Sequence, residues 1–284
     1  MTDNREVLTR PAPRPDLTLS YGSHPDHVAD VWLPPGATAH DGGPPVVLMI
    51  HGGYWRAAID RTHLGPFASE IAALGHVVIC PEYRRTGGGG GWPATFTDVA
   101  AAVDALPGLL HGVLCGRAST DRVILMGHSA GGHLAVWATQ RRRLPAGAPG
   151  ALHAAVAVPG HRPGPGALRM AGVVALAPVI DLADAYRRGL DDDATGALLG
   201  GGPQDVPGRY AVTDPAALGT PRVRTVIVHG DRDGRVPLDM SRTYAAATGT
   251  PLVVAPGADH FALIDPLSAA WPYVLTALAT VRPR

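Results

Sequence analysis

The stretch Val123-Ile124-Leu125-Met126-Gly127-His128-Ser129-Ala130-Gly131-Gly132-His133-Leu134-Ala135 decides the fold. Its first four residues are continuously apolar, as in a strand covered on both faces. The residues after Ser129 suit a helix. Between the two lies G-x-S-x-G, with Ser129 at its centre. A strand, a turn too tight for bulky neighbours and a helix start would together stand the serine hydroxyl at the edge of a sheet, with the amide of Ala130 facing the same space. Gly127 and Gly131 permit that turn, because a side chain at either place would crowd it.

The same alternation runs outward in both directions. Val46–Ile50 and His76–Cys80 read as buried strands, and Thr62–Leu74 carries helical spacing at Leu64, Phe67, Ile71 and Leu74, closed by Gly75. Leu17–Tyr21 and Val28–Leu33 alternate as a hairpin would. A helix is expected over residues 95–110, and a further one after Ser129 that ends at Arg141-Arg142-Arg143. Strands follow at 171–177, 225–229 and 252–254, with helices near 238–247 and from about Pro266. Buried strands alternating with amphipathic helices predict an α/β fold with a mostly parallel sheet of about eight strands and helices on both faces. The ligand site of such a sheet lies at the carboxyl ends of its strands. Residues 1–15, with Pro11, Pro13 and Pro15, read as a flexible arm before a single domain over 16–284. Residues 144–167 read as a surface excursion, and 181–215 as a small cap or lid.

Composition narrows the function classes. Lys plus Arg and Asp plus Glu balance at 24 each, so no electrostatic footprint for nucleic acid or an acidic membrane surface is present. The two cysteines, Cys80 and Cys115, sit in no CxxC and no Cys/His cluster, and read as buried thiols; no metal and no organic cofactor is implied. The first sixteen residues lack an apolar signal-like core, and no run has the length of a membrane span. The expectation is a cytoplasmic enzyme for a small molecule, as a monomer or homodimer.

A serine hydroxyl is a poor nucleophile at neutral pH and needs a base, which in turn needs an orienting acid. Two segments downstream of Ser129 answer that need. His229-Gly230-Asp231-Arg232-Asp233-Gly234-Arg235-Val236-Pro237 follows a strand, and Asp233 is the acid chosen, with Asp231 as its local rival and turn-former. Pro256-Gly257-Ala258-Asp259-His260-Phe261 follows the last strand and supplies His260 as base, Asp259 beside it shaping the loop. Upstream, His51-Gly52-Gly53-Tyr54-Trp55 follows the strand 46–50. The amides of Gly53 and Tyr54, shaped by Gly52 and completed by Ala130, form a candidate oxyanion hole. Trp55, His128 and Phe261 are candidate lining residues for a substrate pocket.

Taken together, these motifs resemble an α/β-hydrolase of the esterase/lipase kind with an H-G-G-x oxyanion loop. The form His51-Gly52-Gly53-Tyr54-Trp55 is similar to the kynurenine formamidase (arylformamidase) branch, as are Phe261, Asp265 and Pro266 after the histidine. Val236-Pro237 instead resembles general carboxylesterases and prolyl-oligopeptidase-type hydrolases. The resemblance implies a Ser129-His260-Asp233 triad and leaves two substrates, a carboxylic ester or an aryl formamide such as N-formylkynurenine. A binding protein on the same fold is the alternative of another class, though such proteins normally lack a triad member.

The remaining motifs have plainer readings. Asp191-Asp192-Asp193 reads as a solvated turn without calcium-loop spacing. Gly87–Gly91 lacks the Lys-Ser/Thr of a phosphate loop. Tyr83 and Arg84 read as bracing for the floor of the site.

Overall fold

Apolar runs separated by glycine- and proline-bearing turns form one eight-stranded sheet in a computed structural model, which describes residues 5–36, 45–114, 119–152 and 170–282. The elements in chain order are β1 (Leu17–Ser20), β2 (Val28–Trp32), β3 (Pro45–Ile50), α1 (Gly65–Ala73), β4 (Val77–Pro81), α2 (Ala94–Val113), β5 (Ser119–His128) and α3 (Ala130–Gln140). They continue with β6 (Met170–Leu176), four short helices α4 (Leu182–Arg187), α5 (Leu190–Leu199), α6 (Pro207–Thr213) and α7 (Pro215–Leu218), then β7 (Thr225–Gly230), α8 (Leu238–Thr248), β8 (Leu252–Ala255) and α9 (Trp271–Val281). The strand order is β1-β2-β4-β3-β5-β6-β7-β8. β1 and β2 pair antiparallel, β2 meets β4 antiparallel, and the other pairs are parallel. This is an α/β-hydrolase fold.

Side chains of one strand feed two cores. On β3, Val46, Leu48 and Ile50 join a core with Phe96 and Val103 of α2 and Leu134 of α3. Val47 and Met49 face the opposite way, against Phe67 and Ile71 of α1 and Val274 and Leu278 of α9. A strand covered on both faces has no polar side to show, hence its unbroken apolar run. Burying each such side chain is worth about 1.5–3 kcal/mol.

The sheet changes direction between β3 and β5. The chain leaves β3 toward β4 on one side, then returns to place β5 on the other. Ile50 lies in register with Gly127, so the loop after β3 and the turn after β5 open side by side. A crevice at that switch point is the expected ligand site of an open α/β sheet.

Two expectations change. The arm is not loose over 5–15: Val7 is buried in a 3-10 turn (Glu6–Leu8), Arg10 forms a bidentate ion pair with Asp265, and Trp32 Nε1 donates to the Pro13 carbonyl at 3.2 Å. Its prolines remove regular structure without removing packing. The closing helix begins at Trp271 rather than near Pro266, because a 3-10 turn (Phe261–Ile264) and a Ser268-capped bend intervene. The segment 181–215, expected as a cap, folds into α4, α5, α6 and the first residue of α7 and packs on α3, where Trp137 Nε1 donates to the Val212 carbonyl at 2.9 Å. Cys80 is a buried free thiol as expected; Cys115 and most of 144–167 lie outside the described residues. No helix is long and apolar enough to cross a membrane among the described residues.

Candidate active site

Ser129 occupies the turn between β5 and α3 with φ 56° and ψ −120°, a left-handed conformation that costs a non-glycine residue about 1–3 kcal/mol. Its surroundings hold it there. The Ser129 amide donates to the Leu176 carbonyl at 2.8 Å, and its own carbonyl accepts from the amides of His133 and Val179. The flanking glycines are steric requirements. A Cβ on Gly127 would come within 2.1 Å of the Gly131 carbonyl oxygen, and one on Gly131 within 2.0 Å of that of Ile50.

Asp233 and His260 come from the loops after β7 and β8. His260 Nδ1 lies 2.7 Å from Asp233 Oδ2. Asp233 Oδ1 accepts from the amides of Arg235 at 2.8 Å and Val236 at 2.9 Å. Burial works to raise this carboxyl, but the hydrogen bonds and charges of His229 and His260 overcome it and hold Asp233 well below the usual carboxylate range. Asp231 points elsewhere, its carboxylate accepting from the Gly257 amide at 2.6 Å. Asp259 accepts from the amides of Phe261 and Ala262, which shapes the loop under His260.

Gly53 (φ 106°), Tyr54 (φ 47°) and Trp55 (φ 57°) form a left-handed turn after β3. Three successive residues in this region turn the backbone sharply. Gly52 packs so closely that a Cβ there would meet the His128 carbonyl at 2.8 Å and Ser129 Cβ at 3.2 Å. Tyr54 is tied across the site by its hydroxyl, which donates to the Arg235 carbonyl at 2.8 Å. Ala130 is the first residue of α3, so its amide has no acceptor within the helix.

A cavity of about 260 Å³ opens over these groups. Of the residues singled out from sequence, Gly53, Tyr54, His128, Ser129, His260 and Phe261 line it. Gly52, Ala130 and Asp233 are not among the residues that line it. Trp55, expected in the pocket wall, does not line it: its left-handed backbone sends the indole inward, where it is fully buried and edge-on to His133. Asp191 is also more than a solvated turn. With Asp192 and Asp193 it adopts a left-handed run at φ 51–55°, lines the cavity, and pairs with Arg56 Nε at 2.8 Å.

Several supporting groups escaped the sequence reading. His229 Nε2 faces the Val236 carbonyl at 2.9 Å and Asp233 Oδ2 at 3.3 Å, while its Nδ1 meets Ser241 Oγ at 2.7 Å. These partners place the ring proton on Nε2, so His229 is a second donor to Asp233. Glu82 braces the glycine loop, its carboxylate lying 2.8 Å from His51 Nε2 and accepting from the amides of Arg61 and Tyr83. The other His51 nitrogen faces the Gly52 carbonyl at 2.8 Å, and Tyr83 donates to the His51 carbonyl, so Tyr83 does brace the floor. His128 Nε2 lies 3.0 Å from the His260 carbonyl, and burial with the neighbouring His260 pushes its pKa well down. His63 also lines the cavity, with burial and His51 lowering it to about 4. The signal for Glu82 and His229 was available: both sit at or just past the carboxyl end of an apolar strand. No three His, Cys, Asp or Glu side chains are grouped to hold a metal among the described residues.

A family model, BD-FAE, matches residues 29–247 and spans the glycine loop, the serine turn and the Asp233 loop. The chain belongs to the BD-FAE family. Esterase LipQ of Mycobacterium tuberculosis is 25% identical over 227 residues, which are 78% of this chain and 49% of LipQ. The probable carboxylic ester hydrolase LipM of the same organism is 30% identical over 121 residues, 42% of this chain and 27% of LipM. This BD-FAE chain thus spans half or less of the length of the curated relatives it matches. A truncated carbohydrate esterase from gut microbiota superposes with a TM-score of 0.71 at 18% identity, covering 95% of this chain and 99% of the other. Esterase Est2 of Thermogutta terrifontis superposes with a TM-score of 0.64 at 20% identity, covering 93% and 90%. At such identities the likeness speaks for the fold.

Proposed function

We propose that the chain is a serine hydrolase of small carboxylic esters, working through Ser129, His260 and Asp233. The observation that carries this reading is the pairing of His260 with Asp233 at 2.7 Å at the wall of the cavity that Ser129 also lines. Asp233 holds the His260 ring with its proton on Nδ1, leaving Nε2 as the base. Ser129 Oγ attacks the ester carbonyl carbon as His260 takes its proton. The carbonyl oxygen becomes an oxyanion, met by the amides of Ala130, Gly53 and Tyr54, groups fixed before the reaction begins. His260 then gives its proton to the departing alkoxide, and an acyl-enzyme remains. Water repeats the sequence and releases the acid.

Support for an ester comes from the site chemistry together with esterases among the relatives. The formamide reading rests on His51-Gly52-Gly53-Tyr54-Trp55 and on Phe261, Asp265 and Pro266 after the histidine, so N-formylkynurenine belongs in the assay as a rival substrate. Purified protein is offered p-nitrophenyl acetate, p-nitrophenyl octanoate and N-formylkynurenine, with Ser129→Ala alongside. Ester turnover that Ser129→Ala abolishes is expected. Faster turnover of the formamide would move the assignment to the arylformamidase reading, and no turnover with any of them would favour a binding protein on this fold.

A further inference from the structure

One wall of the cavity comes from the amino-terminal segment rather than from the sheet. Arg5 and Leu8 line it together with Ser129 and His260. Arg5 lies over the Phe261 ring, 5.9 Å from its centroid, so the segment touches the residue next to the proposed base. Leu8, Ile59 and Phe261 give the cavity apolar lining beside the reacting centre. Two anchors hold the segment in place. Val7, between the two lining residues, is buried among Leu64, Phe67 and their neighbours. Arg10, two residues after Leu8, grips Asp265 with both terminal guanidinium nitrogens, and Asp265 lies just past the 3-10 turn that Phe261 begins.

We propose that residues 5–10 act as a strap that fixes the size of the ester group the site accepts, with Leu8 as the specificity-determining side chain. The inference rests on the esterase reading above. A wall side chain contributes to selectivity through the volume it denies and the apolar surface it offers. One methylene more or less in such a pocket changes relative kcat/KM by roughly 10-fold or more. The Arg10–Asp265 pair is a positioning contact: it holds Leu8 in the wall without facing the cavity.

The test measures kcat/KM over two ester series, p-nitrophenyl esters of increasing acyl length and acetate esters of increasing alcohol size. Leu8→Ala should raise the long-to-short ratio by roughly 10-fold in the series whose group meets the strap. Leu8→Trp should lower it, and Arg10→Ala should shift it in the same direction as Leu8→Ala. Thermal melts confirm that each variant is folded. A ratio unchanged in both series for both Leu8 variants would overturn the strap while leaving the esterase reading intact, provided Ser129→Ala still abolishes turnover. A wild-type chain that hydrolyses no ester would remove the esterase reading and the strap with it.

Discussion

Replacing Asp233 by asparagine tests the proposed acid with little change of shape. Asp233 Oδ1 accepts from the amides of Arg235 and Val236, while Oδ2 faces His260 Nδ1 at 2.7 Å and His229 Nε2 at 3.3 Å. An asparagine has one carbonyl oxygen and one amino group for these two places. The two backbone donors select the oxygen, so the amino group takes the Oδ2 position. There it presents a hydrogen to His260 Nδ1, which must then accept. The ring proton moves to Nε2, the nitrogen needed to take the Ser129 proton. A base in the wrong tautomer loses about 10⁴-fold in kcat, or about 5 kcal/mol of barrier. Flipping the amide offers no escape, because it turns the amino group onto two backbone amides and strands them at about 1–3 kcal/mol each. The assay is kcat on p-nitrophenyl acetate, with a urea unfolding curve to show that the variant folds. A folded Asp233→Asn within 10-fold of wild type would refute the reasoning, as would an equal loss from Asp231→Asn, whose carboxylate meets the Gly257 amide instead.

Other consequences follow from the same contacts. Gly131→Ala would drive a Cβ to within 2.0 Å of the Ile50 carbonyl and should leave little folded protein, whereas Gly208→Ala, in open space on α6, should be neutral or stabilising by up to about 1 kcal/mol; comparable yields and melting temperatures would contradict this. Glu82→Ala removes the buried partner of His51 beneath the glycine loop and should destabilise the fold by about 3–5 kcal/mol, checked by urea denaturation; a shift under about 1 kcal/mol would show that the brace is dispensable. Acid should also destabilise the protein through its buried histidines. Burial holds His133 and His76 down to about 4, so between pH 6.5 and 4 the unfolded chain binds protons that the folded chain does not, and stability falls as pH drops through that window. Each contributes a slope of about 1.4 kcal/mol per pH unit, and Asp214, raised to about 7 by burial and the nearby Asp181, offsets one of them. A urea midpoint that stays constant from pH 7 to pH 5 would contradict that account.

What sequence revealed was what is local. The apolar runs at Val46–Ile50, Val77–Cys80 and Val123–Met126 mark strands covered on two sides, and the glycines around Ser129 mark a turn that admits no side chain. The order of serine, acid and histidine along the chain then indicated which loops would meet, and Asp233 rather than Asp231 turned toward His260. What sequence hid depends on partners far along the chain. Arg10 finds Asp265 across 255 positions, and no periodicity announces such a contact. Prolines at 11, 13 and 15 indicated correctly that no helix or sheet would form there, which says nothing of whether the segment docks. An aromatic beside two glycines looks like a pocket wall, but the left-handed backbone at 54 and 55 carries the Trp55 ring into the core. Asp191 hides for a similar reason: its run is polar and charged, and its pairing with Arg56 beside the cavity joins positions far apart in the chain.

Labelling with a fluorophosphonate, followed by mass spectrometry of the tryptic peptides, bears most directly on Ser129 as an activated nucleophile. The account predicts one stoichiometric adduct on Ser129, none in Ser129→Ala, and much slower labelling in His260→Ala. An adduct on another residue, or wild-type ester turnover by Ser129→Ala, would contradict it.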